Sequence, residues 1–399
     1  MTHIFKLENQ VKHYDWGDVD WIPSLLGKAN PEKRPWAELW MGVHAEGPSQ
    51  VDEGGRRVPL PALIEQAPRL YLGEAVERTF GTLPFLFKIL AAGKPLSIQA
   101  HPDLAQAAAG YQRETEADIP LAAPNRNYKD ANHKPEILCA LTPFMAMCGF
   151  RHAAAIEQRM TAFAHTASGV LKTAFEALCV HLWNSDERAA LRDFLKALLE
   201  LPLDTRQALS AYAAATPPSD RETRLVAHFA QLYPNDPAII APFYLNVIEL
   251  RPGEAVYLPA GVLHAYISGL GVELMANSNN VLRGGLTPKY VDVAELLSIL
   301  RFSAFKPQIL TPQGITYQTP CREFALSVLR NDAGALSFSE QGPAIVIVTE
   351  GAALISCSNG EETCALAQGE AAFIAAHDQN VTISGTYTLY SAAANLHAF

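Results

Sequence analysis

The chain of 399 residues has few cysteines, a modest share of charged residues and no long apolar run. Its six cysteines form no Cys-X-X-Cys pair, which excludes a dense disulfide framework and argues against a zinc site made of thiolates. No apolar stretch is long enough to span a bilayer, and the N-terminus lacks the basic and apolar regions of a secretion signal. These absences predict a soluble cytoplasmic protein, in which any metal is bound by histidine, carboxylate and amide groups.

Basic residues are also in deficit, with 31 Lys and Arg against 41 Asp and Glu, so the formal net charge is −10. This balance disfavours nucleic acids and anionic membranes as partners, because both select a basic surface. A small anionic ligand would require cations gathered at one place. The hydrophobic share of 49% is sufficient for two or three domains with buried cores.

The pattern of apolar residues changes along the chain. Short apolar runs bounded by Gly and Pro indicate strands up to residue 151, and Ala- and Leu-rich segments with apolar residues three and four apart then indicate helices. Strands resume at Leu245. We predict a mainly β protein with an α-helical insertion: a discontinuous β domain of residues 1–151 and 241–308, a helical domain of 152–240 and a C-terminal β domain of 309–399.

The strongest local signal is a twelve-residue hairpin, 253–264. Gly253 opens a turn, a short alternating strand follows, and Pro259 with Gly261 makes a bend before His264 begins the return strand. A histidine in this position is either a satisfied core residue or a metal ligand. A partial copy at 369–376 lacks the Pro and the Gly, and His377 falls at a different offset, so we expect the second β domain to have no metal site.

A second segment supplies partners for His264. Gln99 and His101 are two residues apart, so in a strand both side chains face the same side. The expected carboxylate is either Asp103 or Glu136. Asp103 follows a Pro and is predicted to cap a helix that begins at Leu104, which favours Glu136.

The hairpin and the segment 93–101 resemble the two sequence motifs of the cupin superfamily. The order of segments 99–103, 132–136, 259–269 and 280–289, together with 14–17 and 37–42, further resembles the type I mannose-6-phosphate isomerases over nearly the whole chain. The resemblance implies a cupin-type jelly-roll barrel for the first β domain, and the partial copy at 369–376 suggests that the C-terminal domain is a second, degenerate cupin-like barrel. The resemblance also implies one zinc ion per chain, with the ligands Gln99, His101, Glu136 and His264.

The same resemblance implies an enzyme that interconverts mannose 6-phosphate and fructose 6-phosphate through an enediol or enediolate. The residues expected to bind substrate are Ser97, Lys134 and Lys289, and those expected to act in catalysis are Arg283, Glu273 and Tyr266. The sequence leaves some of these roles open. Glu273 is either the catalytic base or a residue that only orients a metal ligand, and in the second case a metal-bound water or another histidine is the base. Tyr266 contacts the sugar or fills the barrel, and zinc acts as a Lewis acid or organises the site.

Two other functional classes share the predicted fold. One is a metal-dependent cupin dioxygenase, which the neutral Gln99 and the cationic residues disfavour. The other is a non-catalytic sugar-binding cupin, which a ligand set in only one of the two β domains disfavours. The expected partner is a small sugar phosphate, and the expected oligomeric state is a monomer. Trp16, Glu38 and Trp40 either line the mouth of the site or belong to the core, and the sequence assigns them no role.

Overall fold

The computed structural model describes residues 4–339, 342–357, 362–376 and 380–396, which contain 21 β-strands and 11 α-helices. The strands are β1 Ile4–Glu8, β2 Gln10–Lys12, β3 Glu38–Gly42, β4 Gln50–Glu53, β5 Arg56–Pro59, β6 Phe85–Ala92, β7 Ile98–Ala100, β8 Glu136–Ala140, β9 Phe144–Phe150, β10 Leu245–Leu250, β11 Ala255–Leu258, β12 His264–Ala276, β13 Leu282–Gly285, β14 Ile309–Leu310, β15 Thr316–Tyr317, β16 Ala325–Asn331, β17 Ala335–Ser339, β18 Ala344–Cys357, β19 Thr363–Ala367, β20 Ala371–Ile374 and β21 Asn380–Ala393.

The helices are α1 Trp21–Leu25, α2 Leu60–Gln66, α3 Pro68–Phe80, α4 Leu104–Glu116, α5 Ala153–Phe163, α6 Gly169–Leu182, α7 Glu187–Leu199, α8 Leu203–Ala215, α9 Arg221–Leu232, α10 Ala241–Tyr244 and α11 Val293–Ile299. Short 3-10 helices lie at Ala164–Thr166 and Pro237–Ile240. Mainly β structure with added helices is therefore confirmed. Within the described ranges, no helix has both the length and the apolar character needed to cross a membrane.

The strands form two sheets. The first sheet has the order β14-β11-β8-β12-β6-β3-β2, with β7, β9, β10 and β13 joined beside this path. Its strands β6 and β8 are buried at every residue, which explains why their sequences are almost continuously apolar rather than alternating. Every residue proposed from the sequence as a zinc ligand lies in this sheet or directly after one of its strands.

The second sheet has the order β15-β16-β21-β18-β20-β1-β4-β5, with β17 and β19 joined beside it. The N-terminal strand β1 pairs antiparallel with β20, with Ile4 opposite Ile374, so the start of the chain completes the C-terminal sheet. Conversely, β14 pairs with β11 of the first sheet. These two strand pairings cross the segment boundaries expected from the sequence, and the division into three domains stays a prediction.

The internal repeat has a counterpart in the structure. Gly253 and Gly369 both have positive φ angles, of 86° and 81°, and each precedes a four-residue strand, β11 or β20. The following glutamates close the same turn: Glu254 Oε2 accepts from the main-chain nitrogen of Arg251 at 2.8 Å, and Glu370 Oε2 accepts from that of Ala367 at 2.9 Å. His377 lies outside the described residues.

The helices α5 to α10 are inserted between β9 and β10. In α7 the buried residues Leu191, Phe194, Leu195 and Leu198 are spaced by three and four, which forms one apolar face. This face belongs to a core that also contains residues of β7, β12 and β13. The helical insertion therefore packs against the strands that carry the candidate site.

Candidate active site

Three buried side chains meet where strands of the first sheet begin or end. His101 directly follows β7, Glu136 is the first residue of β8, and His264 is the first residue of β12. Their ligand-type atoms all lie within 4.8 Å of one another, and each side chain is at most 2% exposed. The bend of the hairpin joins this group, because the main-chain nitrogen of Gly261 donates to the main-chain oxygen of His101 at 2.8 Å.

Hydrogen bonds determine which tautomer each imidazole adopts when it is neutral. His101 Nδ1 lies 2.7 Å from the main-chain oxygen of Asn280, and His264 Nδ1 lies 2.9 Å from that of Val262. A carbonyl oxygen only accepts, so Nδ1 carries the proton of each neutral ring and Nε2 presents a lone pair. Burial, with the nearby Lys134 ammonium, lowers the pKa of His101 to about 4, so this ring is neutral at physiological pH.

The two lone pairs point towards a carboxylate. His101 Nε2 is 3.2 Å from Glu136 Oε1, and His264 Nε2 is 3.4 Å from Glu136 Oε2. Within the described residues, neither Nε2 atom has a hydrogen-bond partner, although both are fully buried. Unprotonated nitrogens facing carboxylate oxygens repel each other unless a cation lies between them, so this donor set fits a metal ion bound by nitrogen and oxygen ligands.

Glu136 stays ionised despite its burial. Burial alone would raise its pKa, but the Lys134 ammonium, together with the two histidines, holds that pKa well below its ordinary value. Lys134 Nζ donates to Glu136 Oε1, and the Tyr266 hydroxyl donates weakly to Oε2 at 3.4 Å. Both residues therefore contact a candidate metal ligand directly. The rival carboxylate, Asp103, caps α4 by accepting from the main-chain nitrogen of Gln106, which confirms the helix-cap prediction.

A cavity of about 740 Å³ opens above this cluster. Gln99, Lys134 and Tyr266 line it, whereas the histidine and glutamate cluster itself lies behind these side chains and is absent from the lining of the described residues. Gln99 is opposite His264 across one strand pair and opposite Arg283 across another. The remaining residues predicted to act in the site, Ser97, Glu273, Arg283 and Lys289, also line the cavity.

Lys88 is a further cavity residue that the sequence analysis did not single out. It is 5% exposed on β6, and its Nζ lies 2.9 Å from Glu273 Oε2 and 3.3 Å from Glu38 Oε1. Burial alone would lower the pKa of Lys88, but the two carboxylates raise it, so the lysine remains charged. Burial raises the pKa of Glu273, and the Lys88 ammonium opposes that rise.

The signal for Lys88 was present in the sequence. It is the one charged residue in the apolar run 83–90, and a lysine in a buried strand requires a carboxylate partner. Glu38 completes the group, since its Oε2 accepts from Trp40 Nε1 at 2.7 Å. Trp16 and Glu38 line the cavity, whereas Trp40 is a buried neighbour of Glu38.

Two further cations, Arg283 and Lys289, line the cavity. Burial lowers the pKa of Lys289, and the positive charge of the nearby Arg283 lowers it further. In the part of the chain that the structure describes, neither side chain forms an ion pair with a carboxylate. Two unpaired cations beside each other in an acidic protein indicate an anion-binding position. Ser97 and Thr287 line the same region.

Comparisons with known proteins agree with this site. Residues 4–153 match the model of the family described as phosphomannose isomerase type I, catalytic domain. The mannose-6-phosphate isomerase of Escherichia coli K12 is 40% identical over 395 residues, which cover 95% of this chain and 97% of that protein. The chain belongs to the type I phosphomannose isomerase family. The resemblance seen in the sequence motifs is thus confirmed.

Other relatives extend the match over the whole length. Mannose-6-phosphate isomerase 1 of Arabidopsis thaliana is 32% identical over 417 residues, covering 98% of this chain and 94% of that protein. A crystal structure of a mannose 6-phosphate isomerase with zinc bound superposes with a TM-score of 0.89 at 35% identity, covering 99% of this chain and all of the other. The similarity to the family therefore includes the helical insertion and the second sheet.

Proposed function

We propose that this chain is a zinc-dependent isomerase that interconverts mannose 6-phosphate and fructose 6-phosphate. The observation that carries the proposal is a buried His-Glu-His cluster next to a cavity that is lined by Arg283 and Lys289, two cations that form no ion pair with a described residue. The first fits a metal ion, and the second fits the phosphate of the substrate. Relatives named mannose-6-phosphate isomerase, together with a similar structure that contains zinc, support the choice of metal and sugar.

One zinc ion would be held by His101, Glu136 and His264, with Gln99 as the fourth protein ligand. Imidazole nitrogen with carboxylate and amide oxygen is a donor set that zinc accepts, and it lacks the thiolates of most structural zinc sites. When bound, zinc supplies either Lewis-acid polarisation of the two substrate oxygens or an ordered site around a water molecule. Tyr266 and Lys134 orient the Glu136 carboxylate through their direct contacts with it.

The cations fix the orientation of the sugar. Lys289 and Arg283, with the hydroxyl of Ser97, bind the phosphate at the cationic side of the cavity. The reacting carbons then lie towards Lys134, which is positioned to donate to a sugar oxygen near Glu136. Arg283 also stabilises negative charge on the enediolate, because its guanidinium is never deprotonated and presents several donors in one plane.

The reaction moves one proton between neighbouring carbons of the open-chain sugar. A base removes the proton from C2 of the aldose, the C–H electron pair forms a C1–C2 double bond, and O1 becomes a hydroxyl after taking a proton. The O2 hydroxyl then loses its proton to form the C2 carbonyl, and C1 receives a proton. We assign the base to Glu273, because its carboxylate lines the cavity and burial raises its pKa, while the Lys88 ammonium 2.9 Å away opposes that rise.

We further infer that the two sheets are cupin-type barrels related by duplication, of which only the first has a metal site. The matched turns at Gly253 and Gly369 support this relation. We propose a cytoplasmic monomer with the boundaries 1–151 and 241–308, 152–240, and 309–399. The lack of Cys-X-X-Cys pairs supports a reducing compartment.

A combined metal and activity measurement tests the proposal. Purified protein is assayed for bound zinc and for fructose 6-phosphate formed from mannose 6-phosphate, in wild type, His264→Ala and the control Arg251→Lys, at an exposed arginine between β10 and β11. We expect His264→Ala to lose zinc and to lose at least about 100-fold in activity. That is more than the loss of a residue that only supports a metal ligand would cause. The control should retain both. Zinc-loaded wild type without turnover would refute the proposed function.

A further inference from the structure

The end of the helical insertion contacts the candidate site in two places. Leu232, the last residue of α9, and Tyr233 line the cavity, whereas no other described residue between 153 and 231 does so. The chain then passes Asp236 and enters the 3-10 helix Pro237–Ile240 before β10 begins. Among the described residues of the insertion, Leu232 and Tyr233 therefore border the cavity, and Asp236 follows three residues later.

Tyr233 anchors the segment that leads to Ser97. Its hydroxyl donates to the main-chain oxygen of Pro95 at 2.7 Å. Pro95 lies two residues before Ser97, which is followed by β7 and Gln99. Burial raises the pKa of Tyr233, and Asp236 adds to that rise, so the phenol remains a neutral donor. This hydrogen bond fixes the chain at the point where it enters the cavity wall.

Asp236 anchors the turn that leads to Lys289. Its Oδ1 accepts from the main-chain nitrogen of Ala238 at 2.8 Å, and its Oδ2 accepts from that of Thr287 at 3.1 Å. Thr287 Oγ1 in turn accepts from the main-chain nitrogen of Lys289 at 3.1 Å. The carboxylate therefore faces backbone amides, and it fixes the turn that carries Lys289. Burial raises the pKa of Asp236, while these amide contacts oppose the rise.

The fit between the two segments is close. Gly285, with φ of 124°, lies against the insertion so tightly that a Cβ atom there would be 2.2 Å from the Cβ of Ala238. Leu286 follows in the left-handed region at φ 52°, a conformation that a leucine adopts only under external constraint. The turn between Arg283 and Lys289 thus has a shape that the insertion imposes.

We propose that Tyr233 and Asp236 are positioning residues for the phosphate anchor, and that the helical insertion thereby sets the affinity for the sugar phosphate. Neither residue has to touch the substrate. Tyr233 acts through Pro95 on Ser97, and Asp236 acts through Thr287 on Lys289. The inference rests on the proposed function, because it assumes that these residues bind the phosphate of the substrate.

The test uses full-length, zinc-loaded protein carrying Tyr233→Phe or Asp236→Asn. The matched control is Tyr212→Phe, which removes a tyrosine hydroxyl that also donates to a main-chain oxygen at 2.7 Å, inside the helical insertion and away from the cavity. We measure kcat and KM for mannose 6-phosphate, the inhibition constant of inorganic phosphate, bound zinc and the melting temperature.

Both cavity-side variants should raise KM and the inhibition constant of phosphate together by about 3- to 10-fold, the effect of losing one hydrogen bond, with bound zinc and kcat within about 2-fold. Tyr212→Phe should leave KM unchanged whatever its melting temperature. If wild type turns over substrate but both variants match Tyr212→Phe in KM, this inference is refuted and the proposed function is not affected. If zinc-loaded wild type shows no turnover, the proposed function fails and the inference fails with it.

Discussion

The Nδ1 atom of His101 lies 2.7 Å from the main-chain oxygen of Asn280. The side chain of Asn280 is fully buried, and its Oδ1 accepts from the main-chain nitrogen of Lys129 at 2.7 Å while its Nδ2 donates to the main-chain oxygen of Asn132 at 2.8 Å. One asparagine therefore links the tautomer of a proposed zinc ligand to the loop that precedes Glu136. Contacts of this kind orient metal ligands and tune their basicity.

Replacing Asn280 by alanine should weaken zinc binding. We expect the zinc dissociation constant to rise by about 10- to 100-fold, because the loop between α4 and β8 loses its anchor and the carbonyl that holds His101 shifts. Competition with a chromogenic chelator measures the affinity. Asn331→Ala is the control, since Asn331 also bonds a main-chain oxygen, that of Gly385, but in the second sheet. Equal zinc affinity in Asn280→Ala and wild type would contradict the prediction.

Lys88 compensates two buried carboxylates, so its loss should destabilise the fold. In Lys88→Met, Glu38 and Glu273 remain buried without a cation, which we expect to lower the free energy of unfolding by about 3–5 kcal/mol. Urea unfolding of the zinc-loaded protein measures this change. Lys12→Met is the control, because both amines lie over the Trp40 ring, at 4.3 Å for Lys12 and 5.4 Å for Lys88, but Lys12 Nζ donates to Gln10 Oε1 and the main-chain oxygen of Glu46. If Lys88→Met lowered the free energy of unfolding by less than about 1 kcal/mol, as the loss of an exposed ion pair does, the two buried carboxylates would not require the charge of Lys88.

The local part of the site was predictable from sequence. The strand before Pro259, the bend at Gly261 and the start of a strand at His264 all follow from residue order, and the structure has β11 and β12 at these positions. The helix cap of Asp103 is a similar case, since a capping box extends over only four residues. Short-range steric and hydrogen-bonding preferences determine such features.

Features that depend on distant partners were not predictable in the same way. Lys88 is recognisable as an unusual residue, but its partners Glu38 and Glu273 follow only from the order of β3, β6 and β12 in the sheet. The pairing of β1 with β20 joins opposite ends of the chain and leaves no local signal. Periodicity identifies which face of a strand is buried, whereas the neighbour of that strand depends on how the whole core packs.

A partly buried contact joins the loop between β15 and β16 to the loop of Lys134, and it should respond to pH. Glu323 Oε1 lies 2.7 Å from His133 Nε2, and Glu323 Oε2 accepts from the thiol of Cys321 at 3.0 Å. Burial would raise the pKa of Glu323, but these hydrogen bonds, together with the charge of His133, lower it to about 2 from 4.5. A depressed carboxyl pKa adds stability above 4.5, and this stability is lost as the pH falls from 4.5 towards 2.

Glu323→Gln should therefore destabilise the protein more at pH 6 than at pH 3.5. At pH 6 we expect a loss of about 1–2 kcal/mol, allowing for the partial solvent exposure of the pair, and a smaller loss at the lower pH. Chemical unfolding at both pH values measures the difference. Glu350→Gln, at an exposed glutamate in the second sheet that accepts from the Thr388 hydroxyl, is the control. The same loss at both pH values for Glu323→Gln would exclude an ionised role for this carboxyl.

Arg283→Lys separates the two roles proposed for this residue. Lysine keeps the positive charge beside Lys289 but loses the planar set of donors, so recognition of a phosphate or an enediolate by several parallel hydrogen bonds is lost. Stabilisation of the enediolate predicts a fall in kcat of about 10²- to 10³-fold, since one donor to a developing oxyanion contributes that much. A clamp on the phosphate predicts a rise in KM with kcat retained. Bound zinc and melting temperature should match those of the control, Arg301→Lys at an exposed arginine. Unchanged kcat and KM would remove Arg283 from both roles and leave Lys289 and Ser97 as the anchor.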